Sequence, residues 1–460
     1  MSTIMQSLRS VDRTRLTALL ERERTTYAKS HPRSLELFAE ARETLLAGVP
    51  MSWMAIWSGG FPLYFEAAGG NNILDVDGRS YIDFCLGDTG SMTGHSPEPV
   101  MQAVRERIET KGGITTMLPT ADAAAVGADL QRRFGLPLWQ FTLSATDANR
   151  FVLRMSRQIQ KRDRILVFSR CYHGSVDETV VILGADGRPR SKPGNVGPAV
   201  DPTQTTRVVE FNDTETLRAA LEPRDVACLL MEPAMTNIGI VPPEPGFLQT
   251  VEELCSQTDT LLIYDETHTF SGGWGGCVEA WGLKPDIVTI GKALGSGIPI
   301  GAYGLSAEVA ERILADAESD LVDQGGIGGT LAGNALSMAA ARATLEHVLT
   351  KENFAHMLAL ATRYREGVEQ TLAEFEVPWT IVQVGARAEY RFTPTVPRNG
   401  SESAAAHDAG LDEFMHLYTL NRGILMTPFH NMALMCPATS EADVDRHTEV
   451  FRDAIVELYT

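Results

Sequence analysis

The stretch "PDIVTIGKALGSGIPIGAYG", residues 285–304, sets one lysine, Lys292, between a short apolar run and a glycine-rich turn. A lysine at such a strand end is either a solvated surface group or an amine held for bonding to a carbonyl. Two other apolar runs end on acids in the same way: "VACLLME" on Glu232 and "LLIYDE" on Asp265 and Glu266. In an open α/β sheet, ligands bind beyond the carboxyl ends of the strands. An amine and a carboxylate at neighbouring strand ends suit a pyridine aldehyde cofactor. The amine binds the aldehyde, and the carboxylate holds the ring nitrogen protonated, so that the ring draws electrons from a carbanion. Pyridoxal 5'-phosphate also needs an anion site, and "LSATDANRFVLRMSRQ" offers one, with Ser144, Ala145 and Thr146 ahead of a helix. Read alone, those residues are an ordinary helix cap.

The elements that must position these groups follow from the pattern. Between about residue 95 and residue 335, "RILVFS", "VACLLME", "LLIYDE" and "DIVTIGK" read as buried strands. Helical stretches such as "AAAVGADLQRRFG" and "FLQTVEELCSQT" separate them. The alternation predicts an α/β domain with a mostly parallel sheet flanked by helices. Ahead of it, residues 12–48 read as helix, with Leu35, Leu37, Phe38, Ala41, Leu45 and Leu46 on one face, and turns at Gly69-Gly70 and Asp77-Gly78 join short strands. The expected division is an N-terminal segment over 1–94, a large domain over 95–335 and a smaller C-terminal domain over 336–460.

A net charge of -19 opposes nucleic acid and anionic membranes as partners. Six scattered cysteines with no CxxC pair read as reduced thiols, with no metal site among them. "MSTIMQSLRSVDRTRL" shows no secretory signal, and no run approaches a membrane span, so a cytoplasmic protein is expected. A nicotinamide oxidoreductase is excluded for want of a strand-glycine fingerprint followed by a ribose-binding acid.

Seven stretches, in order, resemble the class-III pyridoxal-phosphate aminotransferases of fold type I, and most of all their glutamate-1-semialdehyde aminomutase branch. They are "LFAEARETLLAGVP", "GDTGSMTGHSPEPV", "CYHG", "MEPAMTNIGIVPPEPGFLQTVEELC", "LLIYDETHTF", "PDIVTIGKALGSGIPIGAYG" and "GTLAGNALSMAAA". The resemblance implies that Lys292 is the Schiff-base lysine and proton shuttle and that Asp265 pairs with the ring nitrogen. It implies that Ser144, Ala145 and Thr146 cup the phosphate, Tyr172 stacks on the ring and Glu232 supports the ring's polar side. Thr330 would reach the phosphate of another subunit, which implies a homodimer with shared active sites.

Departures from the family pattern bear on the substrate. Ala145 replaces a glycine, and Thr267 stands where valine is usual, followed by His268, a candidate extra acid or base with pocket lining as the alternative. The branch carries a carboxylate-binding arginine after its first helix; "GVPMSWMAIW" has none, with Met54 at the nearest position. Trp53, Met54, Trp57, Phe429 and Met432 would form an apolar pocket instead. Arg387 and Arg391 are the remaining carboxylate candidates, although strand arginines are expected to face solvent. The expected function is therefore a transaminase moving an amino group between an amine or ω-/β-amino acid, apolar donors favoured, and a keto acid. A 2,1-aminomutase or racemase on the same scaffold is the alternative. Glutamate-1-semialdehyde is expected to be a poor substrate, because a desolvated carboxylate without a partner is costly.

Overall fold

The computed structural model of the chain describes residues 10–316 and 326–460. The start of the N-terminal stretch read for a secretory signal, residues 1–9, lies outside them. Two compact units emerge. The first holds the described residues up to Asp88 with His356–Val396 and Ala406–Thr460; the second holds those of Thr89–Ala355 with Pro397–Ala405.

The second unit is built on a seven-stranded sheet. In chain order its strands are β1 (Leu138–Thr142), β2 (Arg164–Phe168), β3 (Thr206–Val209), β4 (Val226–Met231), β5 (Leu261–Asp265), β6 (Ile287–Ile290) and β7 (Gly301–Leu305). Their spatial order is β1-β7-β6-β5-β4-β2-β3. β7 runs antiparallel to both its neighbours, while the β3–β2–β4–β5–β6 pairings are all parallel. Strands buried on both faces need apolar side chains throughout, and every residue of β4, β5, β6 and β7 is buried. The helix Ala145–Gln160 covers one face, sending Phe151, Val152 and Met155 against Ile165, Ile263 and Ile287.

The second unit runs twenty residues past the expected end at 335. The reason is packing: Ala340, Ala343 and Val348 bury themselves against Val100 and Val104. The segment Pro397–Ala405 also joins it, because Asn212 donates to the Arg398 carbonyl at 2.8 Å and Arg398 pairs with Glu244 at 2.5 Å.

The first unit corrects the long helix expected over 12–48. It is two helices, Arg13–Ser30 and Pro32–Ala41, because Pro32 has no N–H to continue the first. Leu35, Leu45 and Leu46 are exposed rather than sharing a buried face. The turns at Gly70 and Gly78 join Phe65–Gly69, Asn72–Asp75 and Ser80–Asp83 into an antiparallel meander, with Ile424–Leu425 added in parallel. A second sheet pairs Thr380–Val384, Arg387–Arg391 and Met432–Leu434. Among the described residues no helix is long and apolar enough to cross a membrane.

Candidate active site

The carboxyl ends of β4, β5 and β6 converge, as their parallel register requires. A cavity of about 350 Å³ opens there, walled by residues of the second unit. Of the residues expected from sequence, Ser144, Ala145, Thr146, Tyr172, Glu232, Asp265, His268 and Lys292 all line it. Thr330 does not line it and is exposed.

One end of the cavity is the N-terminus of the helix Ala145–Gln160, where backbone N–H groups and the helix dipole favour an anion. Ser144 caps this helix, its Oγ accepting from the Asp147 N–H at 3.2 Å. Two glycines let the walls close on that turn. A Cβ on Gly174, in the "CYHG" loop, would lie 2.1 Å from Thr146 Oγ1, and one on Gly291 would lie 2.9 Å from the Ala145 Cβ. Lys292, directly after Gly291, holds a left-handed backbone with φ 45°. That conformation is costly for a side-chain-bearing residue and persists only where the surroundings impose it. The sequence drew attention to the glycines; the structure places the strain on the lysine as well.

Asp265 is buried and fully engaged. Its Oδ2 accepts from Asn149 Nδ2 at 2.8 Å and faces His173 Nδ1 at 2.8 Å, and its Oδ1 accepts from the Thr267 N–H at 3.1 Å. Burial pushes this carboxyl up, but the hydrogen bond and charge of His173, with Thr267 and Asn149, outweigh it and hold it at about 2. His173 is raised well above its ordinary value: burial lowers it, and Cys171 together with the Asp265 hydrogen bond more than reverses that. Asn149 is fixed in turn, its Oδ1 accepting from Thr289 Oγ1 at 2.7 Å and its Nδ2 donating to the His173 carbonyl at 3.1 Å.

Glu232 behaves in the opposite way. Burial raises it to about 7, against the Thr236 hydrogen bond. Glu266 is likewise raised to about 7 by burial, although it accepts from Thr269 Oγ1 at 2.5 Å and the Val278 N–H at 2.6 Å. His268 bridges Glu232's partner and the lysine. Its Nδ1 lies 2.6 Å from Thr236 Oγ1, which donates to Glu232 Oε2, and its Nε2 lies 2.5 Å from Lys292 Nζ.

Sequence reading missed His173, Asn149 and Thr236 as site residues. His173 carried a signal, since it sits inside the quoted "CYHG"; Asn149, in the interior of a helix, carried none. The other substrate candidates lie in the first unit, and none lines the cavity. Trp53 and Phe429 are exposed and meet edge to face at 5.9 Å. Trp57 packs on the core of Tyr27, Phe61 and Tyr81. The expectation that Arg387 and Arg391 face solvent is corrected: both are buried, because their strand carries packed layers on both faces. Arg387 Nη1 reaches Met432 Sδ at 3.4 Å, and Arg391 Nη1 lies 3.9 Å from the buried Glu389.

An anion site at a helix terminus, a buried anionic aspartate and a strained strand-end lysine in one cavity fit pyridoxal phosphate in donor chemistry and in space. The chain belongs to the class-III aminotransferases, whose family model matches residues 53–455, and it is a pyridoxal-phosphate enzyme of fold type I. It is 46% identical, with a TM-score of 0.94, to a glutamate-1-semialdehyde-aminomutase from Pseudomonas aeruginosa, solved in one case in complex with PMP; the match covers 97% of this chain and 99% of that one. A glutamate-1-semialdehyde 2,1-aminomutase from Brevibacillus brevis is 32% identical over 93% of this chain and 99% of its own. An omega-transaminase from Sphaerobacter thermophilus is 28% identical with a TM-score of 0.83, covering 93% of this chain and 98% of that one. These likenesses reverse the order in which sequence reading placed transaminase and aminomutase.

Proposed function

We propose that the chain is an aminomutase-type enzyme that moves an amino group between adjacent carbons of a small amino-carbonyl substrate. The observation that carries this is the end-to-end likeness to glutamate-1-semialdehyde aminomutases, at 46% identity in one case. The cofactor supplies an electron sink for the carbanion formed when the substrate loses a proton. In this reading Lys292 binds the cofactor and moves the proton at the reacting carbon. Asp265 keeps the ring nitrogen protonated, an anion's task that its depressed pKa suits. Ser144, Ala145 and Thr146 hold the phosphate, Tyr172 covers the ring and Glu232 lies on its polar side. Thr330 serves the site of a second copy, so the active assembly is a homodimer. Six buried free cysteines support a reducing, cytoplasmic setting.

A second reading is favoured by one specific observation: "GVPMSWMAIW" offers no arginine for a substrate carboxylate. Under it the enzyme is a transaminase whose amino donor carries an apolar group where the aminomutase branch binds a carboxylate. Incubating purified enzyme with glutamate-1-semialdehyde, with and without added pyruvate or 2-oxoglutarate, separates the two. The expected result is an isomer of unchanged mass formed without an acceptor. Release of a keto product that depends on acceptor, with no isomerisation, would overturn the first reading.

A further inference from the structure

We propose that Glu232, Thr236 and His268 form a hydrogen-bonded relay that takes a proton from Lys292 Nζ and returns it, making His268 a positioning residue for the lysine's reactive amine. The proposal rests on the reading of Lys292 as the cofactor-binding lysine.

Each link is in hydrogen-bonding contact. Lys292 Nζ lies 2.5 Å from His268 Nε2, His268 Nδ1 lies 2.6 Å from Thr236 Oγ1, and Thr236 Oγ1 donates to Glu232 Oε2. The chain fixes its own polarity. Thr236 has one hydroxyl proton; while Glu232 is a carboxylate it accepts that proton, so the threonine oxygen must accept Nδ1–H of His268. The lone pair of Nε2 then faces the lysine and can accept a proton from its ammonium. When Glu232 is protonated every bond reverses, and Nε2–H points at the lysine's free amine.

The transfer balances. A proton leaves Nζ for Nε2, the Nδ1 proton passes to Thr236 Oγ1, and the original Thr236 proton passes to Glu232. An ammonium and a carboxylate become an amine and a carboxylic acid, with no net change of charge. Burial already raises Glu232 to about 7, so its two forms are close in free energy near neutrality. The charged groups facing this chain are His173 and Asp265 beside Glu232, with Lys292 at the far end. All three relay residues are buried, which keeps bulk water from short-circuiting the path.

The test uses the full-length protein, stripped of cofactor and reloaded with pyridoxal 5'-phosphate, in wild type, Thr236→Val and His268→Gln. The readout is the rate at which the free aldehyde's absorbance gives way to that of the lysine-linked cofactor. Thr236→Val keeps size and the His268–Lys292 contact but cuts the wire; His268→Gln keeps a polar partner but cannot relay. Both should slow linkage at pH 7 by about a hundredfold, the low end of what a positioned proton acceptor contributes. The rates should converge with wild type at high pH, where hydroxide removes the proton instead. Circular dichroism and melting confirm folding, and if His268→Gln fails to fold, Thr236→Val carries the test. Wild-type rates in Thr236→Val, whether or not His268→Gln is slow, overturn the relay. Borohydride reduction and peptide mapping make the separate check: cofactor on another lysine overturns the reading of Lys292, and the relay with it.

Discussion

Asp265 and Glu232 stand at the ends of adjacent parallel strands, both buried, and yet their acidities lie far apart, at about 2 and about 7. Burial pushes both upward, so burial does not separate them. The donors do. Asp265 draws on Asn149, His173 and the Thr267 N–H, whereas Glu232 draws on the hydroxyl and N–H of Thr236, with the charge of His173 lowering it and that of Asp265 raising it. A carboxylate meant to stay charged is surrounded by donors that cannot be withdrawn. One meant to exchange a proton is bonded to an amphoteric hydroxyl.

The most severe way to break this comparison is Asp265→Asn. The amide keeps the shape but not the charge, so turnover should fall by about a thousandfold, in the range found when a preorganised electrostatic partner is removed. The variant should retain cofactor by absorbance. Turnover within tenfold of wild type would remove Asp265 from its assigned role.

Glu232→Gln gives an intermediate effect and sharpens the contrast through pH. The folded-state value of Glu232 is raised from 4.5 to about 7, so its stabilising contribution is full below 4.5 and is lost as pH rises through 7. Relative to Glu232→Gln, wild type should therefore lose stability across that window, by about 3 kcal/mol on the proton-linkage relation. Asp265 runs in the opposite sense: depressed from 3.8 to about 2, its contribution is present above 3.8 and lost as pH falls through 2. Thermal midpoints of wild type and both variants across the acid-to-neutral range measure both. Parallel wild-type and Glu232→Gln profiles would contradict the raised value.

Ala145→Gly should do least, since it touches neither carboxylate. It restores the glycine that Ala145 replaces, at a cost in helix propensity of about 1 kcal/mol or less. A slightly lower melting temperature with cofactor affinity changed less than threefold is expected. A large loss of affinity would show that the alanine methyl holds the phosphate turn in place.

Strand runs such as "VACLLME" and "LLIYDE" were legible because strands buried on both faces need unbroken apolar sequence. β1, β3 and β7 were not read as strands. Their sequences "LWQFT", "TRVV" and "GAYGL" are mixed or glycine-bearing, and pairing in the sheet overrides that weak local preference. Arg387 and Arg391 were misjudged for a related reason: charge predicts exposure only until tertiary packing covers a strand on both sides.

By itself the sequence determined the apolar runs, the acids and the lysine at their ends, and the order of motifs that marks the family. All of these rest on local patterning or on residue identity. Only the tertiary structure decided what each group's neighbours are. His173 and Asn149 reach Asp265 from 92 and 116 residues away, and Thr236 and His268, 32 residues apart, meet beside the lysine. Charge state depends on distance, burial and donor number. The chain specifies those only once its strands have paired and carried remote residues to one sheet edge.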